Sequence, residues 1–219
     1  MYSRLLAFLL LSLIALGLAA CDREVTSEDW QADLRTMHQE LVDRHPDLHH
    51  AVPESVLNAA VDDLHARIPT LTDPEILVGM ARIVAMVGDG HTALYPSDQE
   101  RWRFRYYPLR LYAFADGIYL TATTDQHSEL FGKQLVRIDQ TQINRAYELI
   151  ATTIGADNEM EHEYTVPFEL TRAELLHVLE IADSPDSVRF VYVAGTQTIL
   201  YPYTATEWLD LDGLVVNET

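Results

Sequence analysis

A histidine in a glycine-flanked loop is the residue of this sequence best placed to exchange protons. His91 lies in the string Gly88-Asp89-Gly90-His91-Thr92, which follows a largely apolar segment. A neutral imidazole gains or loses a proton near neutral pH, and glycine neighbours let it approach a partner closely. The same string also fits a purely structural role, in which Gly88 ends a helix, Asp89 caps the turn and the imidazole hydrogen-bonds the backbone.

The serines that follow His91 lack the surroundings of a nucleophile. They are Ser97, Ser128, Ser184 and Ser187. None has the glycine neighbours that expose an activated hydroxyl and build an oxyanion hole from backbone N–H groups. We therefore predict that these 219 residues do not hydrolyse peptides by themselves.

Two other segments carry side chains that bind metal ions in some proteins. His45, His49 and His50 offer imidazole ligands for zinc or nickel, but histidine is also favoured at a helix C-terminus, where it is solvated. The acidic run 157–163, which includes His162, lacks the alternating oxygen pattern of a calcium loop and predicts a solvated, mobile loop. We assign no metal site and no cofactor from the sequence.

The composition excludes several classes of protein. Of the 219 residues, 48% are apolar and 22% are charged, which is typical of a chain that buries a core and not of a disordered or polytopic membrane protein. The formal charge is −19, so phosphate backbones would be repelled and no nucleic-acid partner is predicted. One cysteine is too few for an intrachain disulfide.

That single cysteine, Cys21, closes an N-terminal leader. Residues 5–18 form an uncharged apolar run, which has the length of a signal-peptide core and is shorter than a membrane span. The LAAC string ending at Cys21 resembles the lipobox of bacterial lipoproteins, which implies cleavage before Cys21 and a lipid on its sulfur. Residues 1–21 are then a leader, and the mature chain is anchored to a cell-envelope membrane and faces the periplasm. The alternative is an ordinary signal peptide in which the cysteine is incidental.

Residues 22–92 have the pattern of a small helical domain. Apolar side chains at helical spacing predict one helix from about 26 to 45, a second from 56 to 68 and a third from 72 to 88. The third helix begins with the string TDPE, a capping-box pattern with proline in the first turn.

Residues 93–219 have the pattern of a β-rich domain with helices. Asp116-Gly117 lies between two alternating runs and predicts a hairpin, and a further strand is predicted at 134–138. Helices are predicted at 144–154 and from a capping box at Thr171 to residue 181, and a last hairpin is predicted around Ala194-Gly195. The fold class predicted for the whole chain is α+β.

Three aromatic residues alternate just before the first predicted hairpin. Trp102, Phe104 and Tyr106 would lie on one face of an extended segment. Such a face either packs into the core or forms an apolar groove that contacts a peptide, and the sequence leaves both interpretations open.

Four strings resemble the front half of tail-specific (C-terminal-processing) serine peptidases, especially the branch related to tricorn protease. They are AMVGDGHTALY (85–95), YPLRLY (107–112), DGIYL (116–120) and GKQLVRID (132–139). The likeness covers about residues 28–205 and has the family order, a helical domain followed by a PDZ-like β domain. In the family the last string continues with Asn-Gly-Thr, whereas Gln140-Thr141 follows here.

The resemblance implies a role for His91. In the tricorn-related branch a histidine at a similar position is the general base for a serine supplied by a later catalytic domain, while other members use a Ser–Lys pair. Asp89, Gly90 and Thr92 belong to the same loop motif. The glycine- and alanine-rich turn that carries the family's serine is absent from these residues, which end at Thr219, where the catalytic α/β domain would begin.

Three functions are compatible with these observations. The first is the non-catalytic front portion of a membrane-anchored periplasmic serine peptidase, which recruits polypeptides or protein C-termini and works with a catalytic domain in cis or in trans. The second is a stand-alone peptide-binding lipoprotein that acts as an adaptor without peptidase activity. The third is a metal- or ligand-binding lipoprotein that only resembles the peptidase.

Overall fold

The computed structural model describes residues 25–94, 104–200 and 214–216. The leader with Cys21, and two residues singled out above, Ser97 and Trp102, lie outside these ranges. Within the ranges, no helix combines the length and the apolar character that crossing a bilayer requires.

Three helices form the first part of the structure, as the apolar spacing predicts. They are α1 (Ser27–Arg44), α2 (Glu54–Arg67) and α3 (Asp73–Ala85). Capping boxes begin two of them. The Thr26 hydroxyl accepts a hydrogen bond from Asp29 N–H at 3.2 Å, and the Glu75 carboxylate accepts one from Thr72 N–H at 2.7 Å.

These helices pack around one apolar core. Its largest contributions are the buried side chains of Trp30, Leu34, Leu57, Leu64, Ile68, Ile76, Met80 and Ile83. The Trp30 indole N–H donates to Asp73 Oδ1 at 2.7 Å, which ties the start of α1 to the start of α3. Leu77 packs against this core and also against a second one, to which its neighbour Val78 belongs. α3 is therefore shared by both cores.

Seven strands lie in the rest of the described chain and form two small antiparallel sheets. In chain order they are β1 (Leu109–Phe114), β2 (Gly117–Thr124), β3 (Leu135–Ile138), β4 (Thr141–Gln142), β5 (Ser187–Tyr192), β6 (Gly195–Leu200) and β7 (Leu214–Val216). The first sheet has the order β1-β2-β7 and the second has the order β4-β3-β5-β6. The hairpins predicted at Asp116-Gly117 and Ala194-Gly195 are confirmed, since β1 pairs with β2 and β5 with β6 across these turns.

Three further helices accompany the strands. They are α4 (Ile143–Ala151), α5 (Glu159–Glu169) and α6 (Ala173–Val178). The apolar spacing predicts α4, whereas α5 falls in a segment for which no helix is predicted. Helices and small antiparallel sheets together make an α+β fold, which confirms the predicted fold class.

The acidic run 157–163 enters a helix, so the prediction of a solvated, mobile loop is wrong. Asn158 caps α5, because its side-chain oxygen accepts a hydrogen bond from Glu161 N–H at 3.3 Å. Glu159 and Glu161 occupy the first turn of the helix, where the helix dipole stabilises negative charge. The acidic residues thus mark a helix start.

The capping box predicted at Thr171 is also wrong. The Thr171 side chain is buried, and its hydroxyl donates to the Phe168 carbonyl at 2.7 Å instead of accepting from α6. Glu174 accepts hydrogen bonds from Arg105 N–H at 2.7 Å and from Arg105 Nε at 2.6 Å. The local pattern assigns the Glu174 carboxylate to a helix cap, but this carboxylate binds Arg105, which is distant in the sequence.

A second apolar core lies between the sheets and α4–α6. Tyr107 and Phe190 are among its fully buried side chains, and their rings meet edge to face at 5.6 Å. Phe104 and Tyr106 are buried, so these two alternating aromatics pack inward. Tyr112 and Phe114, on the outer face of β1, are about half exposed and lie 4.8 Å apart.

Candidate active site around His91

The turn that carries His91 follows directly from the end of α3. Gly88, with φ +71°, reverses the chain there, and a side chain at this position would meet the Ala51 methyl group at 2.7 Å. The His50 Nε2 atom lies 3.3 Å from the Gly88 carbonyl. Glycine is required because the backbone is left-handed and the neighbouring chain is close.

Asp89 organises this turn. Its Oδ1 atom accepts a hydrogen bond from His91 N–H at 2.8 Å, and its Oδ2 atom accepts one from the Thr92 hydroxyl at 3.0 Å. These bonds form a side-chain-stabilised turn, which explains why aspartate and threonine flank the histidine. Asp89 thus caps the turn, as in the structural interpretation of this string.

His45 holds the other side of the Asp89 carboxylate. Its Nε2 atom lies 3.0 Å from Asp89 Oδ2, and its imidazole is only 8% exposed. His45 Nδ1 accepts a hydrogen bond from Asp47 N–H at 3.2 Å, so a neutral His45 carries its proton on Nε2 and donates it to Asp89. His45 is therefore a support for the turn, a role that its position near a helix end does not reveal.

The hydrogen bonds keep Asp89 ionised. The backbone N–H of His91 and then the His45 imidazole lower the pKa of Asp89 from 3.8 to about 2. Asp89 thus stays negative beside the imidazole of His91 at every physiological pH.

His91 itself is almost free of contacts with the rest of the described chain. Its side chain is 93% exposed, and Nδ1 lies 3.7 Å from Asp89 Oδ1 and 4.0 Å from Asp157 Oδ2. Both distances exceed that of a hydrogen bond. The carboxylates face Nδ1, which leaves Nε2 open to an incoming group.

The segment before α5 closes over the same turn. Gly90 N–H donates to Asp157 Oδ1 at 3.4 Å, and Asp157 N–H donates to Glu161 Oε2 at 3.0 Å. A side chain on Gly155 would meet the Asp89 carbonyl at 2.7 Å, which shows how closely the two segments approach. Gly155 is the feature of the sequence that allows this close approach. The spacing of the residues in the sequence does not indicate that Asp157 lies beside His91.

An apolar cavity of about 290 Å³ lies beside the turn. α3 contributes Val78 and Ala81 to its wall, the His91 turn contributes Thr92, and α5 contributes Glu161 and Thr165. A cavity of this size beside the turn could accept one apolar side chain.

The remaining candidate residues do not gather at this site. His50 binds backbone carbonyls of Asp47 and Gly88, and His162 Nε2 lies 3.2 Å from the Ile154 carbonyl. The Ser128 hydroxyl donates to the Asp125 carbonyl at 2.9 Å, a local contact. Among the described side chains, the metal-ligating group of three that converges is Asp89, His91 and Asp157, not the His45–His50 segment.

We expect acid to weaken the turn by protonating Asp89. Because folding lowers the pKa of Asp89 from 3.8 to about 2, its ionised form stabilises the fold above about pH 4, and this contribution is lost as the pH falls through about 2. Urea unfolding should therefore show Asp89→Asn to be less stable than wild type at about pH 7, with a smaller difference at about pH 2. Asp125→Asn, at an exposed aspartate, is the control. An equal difference at both pH values would contradict the prediction.

Comparison with known proteins gives a likeness in fold. No family model matches the chain, and no curated protein matches it in sequence. The solved structure of mature CPAF complexed with lactacystin, a chlamydial tail-specific-protease-like serine protease, superposes with a TM-score of 0.54 and 15% identity over 82% of this chain. A crystal structure of mature CPAF gives a TM-score of 0.51 and 14% identity. The chain spans 35% of the length of that protease, so it shares the fold of one part of a serine protease.

Proposed function

We propose that this chain is the non-catalytic front portion of a lipid-anchored, periplasmic serine peptidase of the tail-specific kind. It recruits polypeptides, and its His91 serves as general base for a serine that lies outside the 219 residues. The observation that carries this proposal is the geometry of His91. Its imidazole is 93% exposed, and the turn that carries it is held by hydrogen bonds to two other segments of the chain. The likeness in fold to part of CPAF supports it.

The surroundings of His91 fit a base that serves an external nucleophile. A general base needs one ring nitrogen oriented by an acid and the other free to take the proton of the nucleophile. Asp89 and Asp157 face Nδ1, and Nε2 is open. An imidazole that only hydrogen-bonds the backbone would not need this exposure.

We infer that polypeptides are recruited at the β1 edge of a PDZ-like module. In the described part of the chain β1 pairs with β2 alone, which makes it an edge strand of its sheet, and α5 packs against it. An extended peptide can add to such an edge as a further strand. Tyr112 and Phe114 project from β1 and offer apolar contact for the side chains of the peptide.

The first test is the state of the native protein in membranes of its source. An antibody against this chain should detect a species of more than twice its mass, since 82% of this chain corresponds to only 35% of the solved protease. A fluorophosphonate probe, which labels activated serines, should label the same species. A species the size of the 219 residues that resists the probe would contradict the peptidase.

That second result would favour the stand-alone adaptor, for which the position of β1 at the edge of its sheet is the supporting observation. The adaptor should bind peptides in a fluorescence anisotropy assay. Amidating the C-terminus of the peptide should abolish the binding if a carboxylate is captured. The charge of −19 predicts a preference for basic or neutral peptides that weakens as salt rises.

A further inference from the structure

Three metal-ligating side chains from two separate segments converge beside the His91 turn. Asp89 and His91 follow α3, and Asp157 precedes α5. One carboxylate oxygen from each aspartate and one imidazole nitrogen all lie within 4.8 Å of one another. Two oxygens and one nitrogen in this arrangement can close around one small ion.

The three ligand atoms lie somewhat farther apart than they would around a bound ion. His91 Nδ1 lies 3.7 Å from Asp89 Oδ1 and 4.0 Å from Asp157 Oδ2. Zinc bonds of about 2.0–2.2 Å place neighbouring ligand atoms roughly 3–3.6 Å apart. Since all three ligand atoms lie within 4.8 Å of one another, rotation of the exposed His91 and Asp157 side chains has to supply a closure of less than about 2 Å.

Hydrogen bonds from groups outside the cluster orient both carboxylates. His45 and Thr92 bind Asp89 Oδ2, which leaves Oδ1 on the side of the imidazole. Gly90 N–H binds Asp157 Oδ1, which leaves Oδ2 facing His91 Nδ1. Metal sites depend on such outer hydrogen bonds to orient their ligands.

The negative charge of the cluster and the types of its ligand atoms indicate which metal ion it would bind. Within the described ranges, Asp89 and Asp157 form ion pairs with histidines, not with lysine or arginine, so their negative charge is not neutralised by a permanent cation. Glu161 adds a third carboxylate beside Gly90. Carboxylates alone would favour calcium or magnesium, whereas an imidazole among them favours zinc and similar transition metals.

We propose that Asp89, His91 and Asp157 bind one Zn²⁺ ion, with His91 coordinating through Nδ1, and that the bound ion switches off His91 as a base. A neutral imidazole has one N–H and one lone pair. When the ion takes the lone pair of Nδ1, the single ring proton moves to Nε2, which can then no longer accept a proton. The ring keeps one proton throughout, and the new Zn–Nδ1 bond replaces a bond between the hydrated ion and one of its water molecules. The switch rests on the proposed function, but the ion site does not.

Metal titration of the full chain, purified in detergent and freed of metal, tests the site. Calorimetry with Zn²⁺ and visible absorption with Co²⁺ should each show one ion per chain. Asp157→Asn should weaken binding at least about tenfold, whereas Asp125→Asn, at an exposed aspartate remote from the turn in sequence, should leave it unchanged. Asp157 is 52% exposed, so circular dichroism should confirm that its variant folds. Absence of binding, or equal binding by Asp157→Asn, would overturn the proposal.

Nitrogen NMR of His91 tests the switch without any peptidase activity. Zn²⁺ should leave the ring with a metal on Nδ1 and a proton on Nε2, and His91→Ala should remove these signals while His49→Ala, at another exposed histidine, retains them. Coordination through Nε2 would overturn the switch. Because neither readout depends on hydrolysis, failure of the peptidase proposal would not be mistaken for failure of the zinc site.

Discussion

Replacing His91 by alanine is expected to lower kcat/KM for peptide hydrolysis by the native protein roughly 10²- to 10⁴-fold, the usual contribution of a general base. The side chain is 93% exposed and makes no close hydrogen bond, so its removal should leave the fold intact. The measurement is hydrolysis of casein or a fluorogenic peptide by the native species immunopurified from membranes. Serine labelling of the variant by a fluorophosphonate should fall in parallel, because the nucleophile has lost its base.

The control for this variant is His49→Ala. His49 is also an exposed histidine of the helical part, so its replacement removes an imidazole of the same kind away from Asp89 and Asp157. We expect wild-type hydrolysis from it. If His91→Ala retained full activity while its circular dichroism matched wild type, His91 would not be the base and the proposed role would fail.

The largest expected effect on stability comes from Phe190→Ala. Phe190 is fully buried on β5, an inner strand of its sheet, and its ring packs edge to face against Tyr107 at 5.6 Å. Removing a buried aromatic ring forfeits its transfer free energy and leaves a cavity, which together cost about 3–5 kcal/mol. Urea unfolding followed by circular dichroism should show this loss as a lower midpoint with a similar slope.

Phe114→Ala is the matched control, since it deletes the same side chain from a surface. The Phe114 ring is 52% exposed and contacts Tyr112 and Tyr119. We expect a loss of about 1 kcal/mol or less, the range of a surface aromatic pair. Comparable losses from both variants would show that Phe190 does not occupy a tightly packed core.

Much of the fold follows from short-range patterns in the sequence. Thr26 and Thr72 begin helices through capping boxes whose partners lie three residues away, and Asp116-Gly117 forms a hairpin from two residues alone. Such signals are readable because the atoms that form each structure are close neighbours in the chain.

The contacts that build the candidate site join residues that are far apart in the sequence. Asp157 reaches Gly90, and His45 reaches Asp89, across many residues that the local pattern does not connect. The Thr171 pattern was misleading for the same reason, because Arg105 takes the carboxylate of Glu174. The string around His91 predicts a turn after α3, but the partners that support this turn depend on how distant segments pack.

α3 connects the His91 turn to both hydrophobic cores. Leu77 packs against both hydrophobic cores and Val78 belongs to the second, so neither core can open without uncovering one side of this helix. Amides of α3 should consequently be among the slowest to exchange with solvent, since they are released only when both layers open. The turn begins where this helix ends, so an imidazole that is 93% exposed follows directly on a helix that packs against both cores. A ring open to solvent and a helix held by two cores thus lie within a few residues of each other.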